Sequence, residues 1–321
     1  MIPMRLFGTL LALGALLPSL TLAQTWPTKP IRVIVPFSAG GAQDTLARAI
    51  NGELGQILGQ NILVENRVGA GGTIGTAAVA KAAPDGYTMI LAAASHTING
   101  SLYRKLDYDP LKDFTPMAAL AVTNYVLVGS GAKPFNNLAE LIAYGKANPG
   151  KLNFSSAGVG SAGHLSAAYF LALAGVEAVH VPTKGMADAM TEVVAGRCDI
   201  TVLTNNVAIP FSNDKRTRFL GVTSPAASPF IPDVAPISAT LHGYEFESWF
   251  GFLGPAGVPP AVTERLNSAV TQLVKMPEIA ERLRKQGVNV LTMAPDQFAA
   301  YLRADFDRMA KVVKAAGAKV E

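Results

Sequence analysis

Four times along this chain a short run of β-branched and apolar residues stops at glycine, serine or proline and gives way to a helical pattern. Ile31 to Val35 runs into Pro36 and the pair Gly40-Gly41, and then into Ala42 to Leu58, where Leu46, Ala49, Ile50, Leu54 and Ile57 share one side. Asn61 to Glu65 runs into a loop with Gly69, Gly71, Gly72 and Gly75, then into an alanine-rich helix that ends near Ala83. Leu152 to Ser155 and Ala178 to Val181 repeat the pattern, with helices over Ala162 to Ala174 and Met186 to Ala195. Near-continuous apolar strands alternating with amphipathic helices predict parallel β-structure covered on both faces. The fold class expected is therefore α/β.

Further strands are predicted at Tyr87 to Ala93, Asp199 to Leu203 and Arg218 to Thr223, with Ala118 to Val128 and Phe246 to Leu253 as further segments between the less regular stretches. Helices are predicted at Leu138 to Ala147, Ala261 to Val274, Glu278 to Gln286 and Pro295 to Ala316; Ser95 to Pro116 reads as less regular. The pattern restarts after Val128, and the C-terminal helices need a sheet to cover. Two lobes follow, each a mainly parallel sheet flanked by helices, with a ligand cleft between them. The first takes residues 24–124 plus 225–321 and the second takes 125–224. The chain would cross between them near Asn124 and Ser224, an arrangement suited to hinge closure.

The N-terminus reads as a secretory signal peptide over residues 1–23. Arg5 precedes an apolar stretch from Leu6 to Leu17, and a small-residue site ends at Ala23. The apolar core is too short to span a bilayer, so export to the periplasm with cleavage after Ala23 is expected. The 27 Lys and Arg exceed the 23 Asp and Glu, but they are scattered and form no basic run with interleaved aromatics. That argues against a nucleic-acid face. The single cysteine, Cys198, excludes an intrachain disulfide and is safest buried.

Two strand-to-helix loops carry the chemistry. In Pro36 to Asp44, the free amides of Gly40, Gly41 and the helix start can face an anion. Ser155 to His164 is the matching loop of the second lobe, richer in hydroxyls. It lacks the glycine at Val159 that a nucleophile elbow around Ser161 would need, and no Asp and His partner pattern accompanies it. An exported hydrolase is therefore the weaker alternative, and no enzyme is expected. The Gly69 to Gly75 loop has the wrong register for a dinucleotide fingerprint. His96, His164, His180 and His242 show no metal-ligand spacing. Neither a cofactor nor a metal is expected.

Taken in order, a set of short motifs resembles the exported substrate-binding proteins of bacterial tripartite tricarboxylate transporters, the Bug receptors. The matching pieces are Pro36-Phe37 with Gly40-Gly41 and Asp44, Asn66-Arg67 with the following glycines, Asp85-Gly86-Tyr87-Thr88, Tyr108-Asp109, Asp113-Phe114 and Pro149-Gly150-Lys151. They continue with Ser156 to Ser161 and His164, Val181-Pro182 with Lys184-Gly185, Trp249 with Gly251, and Pro255-Ala256-Gly257. The resemblance implies a two-lobed periplasmic binding protein of the type II kind, a monomer that clamps a small aliphatic or aromatic carboxylate and delivers it to the permease subunits of a tripartite transporter. A ligand-sensing subunit for a signalling partner would use the same clamp. Carried over, the resemblance assigns first-lobe contacts to Phe37, Ser38, Ala39, Gly40, Gly41 and Asp44, with Asp44 holding the loop. It assigns second-lobe contacts to Ser156, Ala157, Gly158, Gly160, Ser161 and His164, and to Thr183, Lys184 and Gly185. Ser95, His96, Thr97, Thr204 and Asn205 are expected at the cleft floor. Thr183 stands where the family usually has tyrosine.

Overall fold

The computed structural model describes residues 26 to 318, so the leader reading lies outside the described residues. The first unit forms as the sequence predicts. Strand β1 (Ile31–Val35) is followed by helix α1 (Ala42–Leu58), and Leu46, Ile50 and Leu54 of α1 are almost fully buried. Each such side chain contributes about 1.5–3 kcal/mol on burial. Gly59 stops the helix in the left-handed region at φ 77°, where its amide reaches the carbonyls of Gln56 and Gly55. A side chain there would be strained.

Next come β2 (Ile62–Asn66), α2 (Thr73–Ala80), β3 (Thr88–Ala93) and α3 (Ser95–Leu102). Strand β4 (Phe114–Ser130) leads to α4 (Leu138–Ala147), β5 (Leu152–Ser156), α5 (Ala162–Ala174), β6 (Ala178–Pro182) and α6 (Met186–Val194). Then follow β7 (Ile200–Thr204), α7 (Asn205–Ala208), β8 (Thr217–Val222) and β9 (Glu247–Pro255). The chain closes with α8 (Pro260–Val274), α9 (Pro277–Lys285), β10 (Asn289–Val290) and α10 (Pro295–Ala315).

The strand order is β2-β1-β3-β9-β4-β7-β5-β6, with β8 and β10 also on β4. The predicted parallel triplets are present: β2, β1 and β3 in one half, β6, β5 and β7 in the other. The sheets as wholes are mixed rather than mainly parallel. Strands β4 and β9 run antiparallel to each other, β9 also runs antiparallel to β3, and β4 to β7, β8 and β10. These strands are not joined to their neighbours by a covering helix, so nothing imposes the parallel sense that a βαβ unit does.

Seventeen residues long, β4 serves both halves. It pairs with β9 from Phe114 to Asn124 and with β7 and β8 from Tyr125 to Ser130. The C-terminal helices cover the first half, α8 against α1 and β4, and α10 against α3 and β4, with α10 also reaching α5. Arg282 of α9 fastens that layer, donating to the Ala49 carbonyl at 2.6 Å and to Glu53 at 2.8 Å. Helix α3 occupies a stretch read from sequence as irregular. It is held by burial of Ile98 and Leu102 rather than by a helical repeat long enough to recognise. Cys198 is buried and unpaired, and burial raises the pKa of its thiol.

Candidate functional site

The loop between β1 and α1 is set by one buried carboxylate. Asp44 Oδ2 accepts from the Gly40 amide at 2.9 Å, while Oδ1 accepts from Arg48 Nε at 2.9 Å and Asn66 Nδ2 at 3.0 Å. The Asn66 amide also donates to the Phe37 carbonyl at 3.0 Å, which ties the loop to the end of β2. Gly40 sits at φ 75°, and Gly41 begins α1 without a side-chain cap. The first-turn amides of α1, at Ala42 and Gln43, therefore have no acceptor within the helix.

Helix α5 starts on the other side, behind a glycine-rich turn and a side-chain cap. Gly158 at φ 107° and Gly160 at φ 86° turn the chain, and Ser161 caps the helix by accepting from the His164 amide at 3.2 Å. The amides of Ala162 and Gly163 remain without an intrahelical partner. Both helix starts border one cavity. Phe37, Gly41, Ala42 and Gln43 line it from the first loop, and Ala157, Ser161 and Ala162 from the second. Ala93, Ser95, Tyr125, Ser248 and Phe250 supply the remaining wall from β3, α3, β4 and β9, and Met186 and Thr204 complete it. No lining residue carries a formal charge, so the positive ends of two helix dipoles set the local field.

The first loop meets the segment between β6 and α6, and the second meets the Gly69 to Gly72 loop and Tyr103. The Ser38 amide donates to the Lys184 carbonyl at 3.2 Å, and Ser38 Oγ donates to Asp188 Oδ2 at 3.0 Å. Tyr103 Oη donates to the carbonyls of both Ala70 and Val159, each at 3.1 Å. A Cβ at Gly71 would lie 2.0 Å from the Val159 carbonyl oxygen, so only glycine permits that approach.

The other sequence-predicted site residues are placed as follows. Ala39 is exposed at the loop tip, and Gly158, Thr183 and Lys184 line a second groove that shares Phe37 and Ala157 with the cavity. Gly185 packs directly on Ser38, and Gly160 against Asn99 and Tyr103. Thr183 Oγ1 is turned back into its own loop, donating to the carbonyls of Ser156 at 2.8 Å and Gly185 at 2.9 Å. The side chains of His96 and Thr97 do not line the cavity. His96 shares a hydrogen bond of 2.8 Å with the Pro110 carbonyl and stands edge-on to Phe114, and burial lowers its pKa to about 4. Thr97 donates to the buried Asp305 at 2.6 Å. Asn205 donates to the Gly287 carbonyl at 3.2 Å.

Below the second loop, Ser156 Oγ and His180 Nε2 share a hydrogen bond of 2.6 Å, and the His180 ring stacks on His164 at 4.3 Å between centroids. Ser156 is fully buried, and its hydroxyl also accepts from the Gly158 amide at 3.1 Å. It is a loop brace, closed to a substrate, and among the described residues no carboxylate orients the imidazole. Burial keeps both rings neutral, lowering the pKa of His164 to about 4. That of His180 falls to about 3, with the neighbouring His164 adding to the effect.

The sequence reading did not single out Gln43, Tyr125, Met186, Ser248 and Phe250 as cavity residues. Only Gln43 had a local signal, its place in the first turn of a helix with an open start. The others come from positions far apart in the chain that the strand order brings together.

Residues 46–318 match the model of the tripartite tricarboxylate transporter family receptor. The chain belongs to that family. Among curated relatives of this receptor, a protein encoded in the tcbD-tcbE intergenic region of Pseudomonas sp. strain P51 is 36% identical over 292 residues, covering 90% of this chain and 86% of the relative. BugT of Bordetella pertussis is 32% identical over 303 residues, covering 93% of each. Among solved structures, periplasmic binding protein BugD superposes with a TM-score of 0.89 at 31% identity, covering 92% of this receptor and all of BugD. MatC from Rhodopseudomonas palustris with bound malate gives 0.86 at 32% identity and 90% coverage, and an R. palustris protein with adipate gives 0.88 at 33% and 92%; both are covered completely. The receptor thus has the α/β periplasmic binding protein fold and is a binding protein, not an enzyme.

Proposed function

We propose that this receptor captures a small carboxylate between two lobes, residues 24–124 with 225–321 and residues 125–224, and delivers it to the permease subunits of a tripartite transporter after export and cleavage behind Ala23. The observation that carries the reading is the uncharged cavity bordered by the N-termini of two helices, α1 and α5. Amide donors and helix dipoles stabilise an anion there without the cost of a buried side-chain charge. Hydroxyls of Ser95, Ser161 and Thr204 surround the same space. Two relatives that share the whole fold hold malate and adipate, which agrees with this chemistry.

Loop contacts such as Ser38 to Lys184 and Tyr103 to Val159 cross between the lobes, so a ligand touching both loops favours the closed arrangement over an open one. Calorimetric and thermal-shift titration of the purified receptor against mono-, di- and tricarboxylates, amino acids and neutral sugars tests the reading. A cognate acid at a hundred times its Kd stabilises the fold by about 2.7 kcal/mol. Stabilisation by neutral sugars with none by any acid would overturn it.

A further inference from the structure

Strand β9 gives Ser248 and Phe250 to the cavity wall, so the ring of Trp249 between them points to the other face of the sheet, where it packs on Phe298 of α10 at 5.6 Å between centroids. Its indole nitrogen donates to Asp305 Oδ2 of α10 at 2.8 Å. Thr97, in the first turn of α3, has its hydroxyl 2.6 Å from the same oxygen and 2.9 Å from the Ala94 carbonyl. Its one proton goes to the carboxylate, the closer and charged acceptor. Arg308 donates to Asp305 Oδ1 at 2.5 Å and covers the carboxylate from a surface groove that Glu245, Glu247 and Tyr301 also line. Asp305, Thr97 and Trp249 are all buried. The segments that carry the two donors meet again nearer the cavity, where Ser248 Oγ accepts from the Ala94 amide at 3.3 Å.

We propose that Asp305 is a positioning residue for the ligand site: by accepting from Thr97 and Trp249 with one oxygen, it sets where Ser95 and Ser248 stand on the cavity wall. This rests on the carboxylate reading above. Asp305 lines no part of the cavity, but Ser95 stands two residues before Thr97 and Ser248 one before Trp249, so a shift of either donor carries a wall residue with it. Stability alone does not call for a charge here. Taking a carboxylate out of water is costly, and a buried ion pair can often be replaced by packed apolar side chains with no loss of stability. An apolar side chain cannot give α3 and β9 a shared acceptor. A site that holds an anion with neutral donors depends on their spacing, which the residues behind them must fix.

The test joins calorimetric titration with urea unfolding of each variant. The probes are malate and adipate, the acids held by two relatives, or, where neither binds, the tightest acid of the panel above. Thr97→Val keeps the volume and removes the hydroxyl; Thr97→Ser keeps the hydroxyl and removes a methyl group. Affinity is expected to fall about tenfold in Thr97→Val, the weight of a hydrogen bond to a charged group, and to stay within about twofold of the parent in Thr97→Ser. Asp305→Ala should lose at least as much, and adding Thr97→Val to it should cost no further affinity, because the hydroxyl acts through the carboxylate. Arg282→Gln, which unfastens α9 from α1 away from the cavity, should lower the urea midpoint and leave affinity unchanged. Parent-like binding by Thr97→Val, a loss in Thr97→Ser as large as in Thr97→Val, or a loss in Arg282→Gln that tracks its stability would overturn the role of Asp305 and leave the carboxylate reading standing. The Thr97 pair decides the matter even if Asp305→Ala does not fold. Failure of the parent to bind any acid removes both.

Discussion

At the scale of single residues, Asp44 shows how a buried charge can serve a site without touching its contents. Its carboxylate is 3% exposed and takes hydrogen bonds from Gly40, Arg48 and Asn66, so it shapes the loop that presents the helix amides. Asp44→Ala would leave the Gly40 amide and the Asn66 side chain short of an acceptor. The expected cost is about 1–3 kcal/mol of stability, read from the urea midpoint, together with weaker ligand binding. Unchanged affinity would show that the loop holds its shape without the carboxylate. The sequence singled out Asp44 because an acidic residue in a helix first turn has a local electrostatic reason. It did not foresee that Asn66, far along the chain, would share the task with it.

At the scale of elements, the brace beneath the second loop joins β5, β6 and α5. Ser156 on β5 bonds His180 on β6, and the His180 ring stacks on both His164 of α5 and Phe154, at 4.3 and 4.6 Å between centroids. Folding lowers the pKa of His164 to about 4 and of His180 to about 3, from ordinary values near 6.5. The unfolded chain therefore binds more protons in the window between those values, and stability rises with pH across it. The melting temperature is expected to be level above about pH 6.5 and to fall steadily as the pH drops toward 4. His180→Gln should flatten part of that fall; an identical pH profile in the variant would place the acid sensitivity elsewhere. Nothing in the sequence pairs these two histidines. Strand register does it, setting Phe154 opposite His180 and Ser156 opposite Pro182.

At the scale of the whole molecule, the cavity is lined from both halves of the fold, and glycine lets the loops beside it approach. Gly71 has φ 61°, and any Cβ there would press on the Val159 backbone across the cleft. Because the obstructing atoms are backbone, the loops must separate to accept it. Gly71→Ala should cost about 1 kcal/mol from the left-handed conformation alone and weaken ligand affinity further by opposing closure. Small-angle scattering with saturating ligand should show a larger radius of gyration than the parent protein. A variant that closes fully and binds normally would mean the Gly71 to Val159 approach does not belong to the bound state.

The amino-acid sequence by itself determined the strand-helix units and their loop chemistry. Hydrophobic periodicity, glycine and hydroxyl residues act over a few neighbours, and so β1, α1, β5 and α5 begin and end close to where the pattern predicts. The motifs in order were enough for the family. Tertiary structure decided which units face each other. It placed antiparallel β9 between β3 and β4, making the sheets mixed, and drew Tyr125, Ser248 and Phe250 into the cavity wall. It also sent His96 and Thr97 into the hydrogen-bonded interior, away from that wall. Such outcomes depend on which apolar faces cover one another and on where buried polar groups find partners. Those energies belong to contacts between distant segments, and no local run of residues carries them.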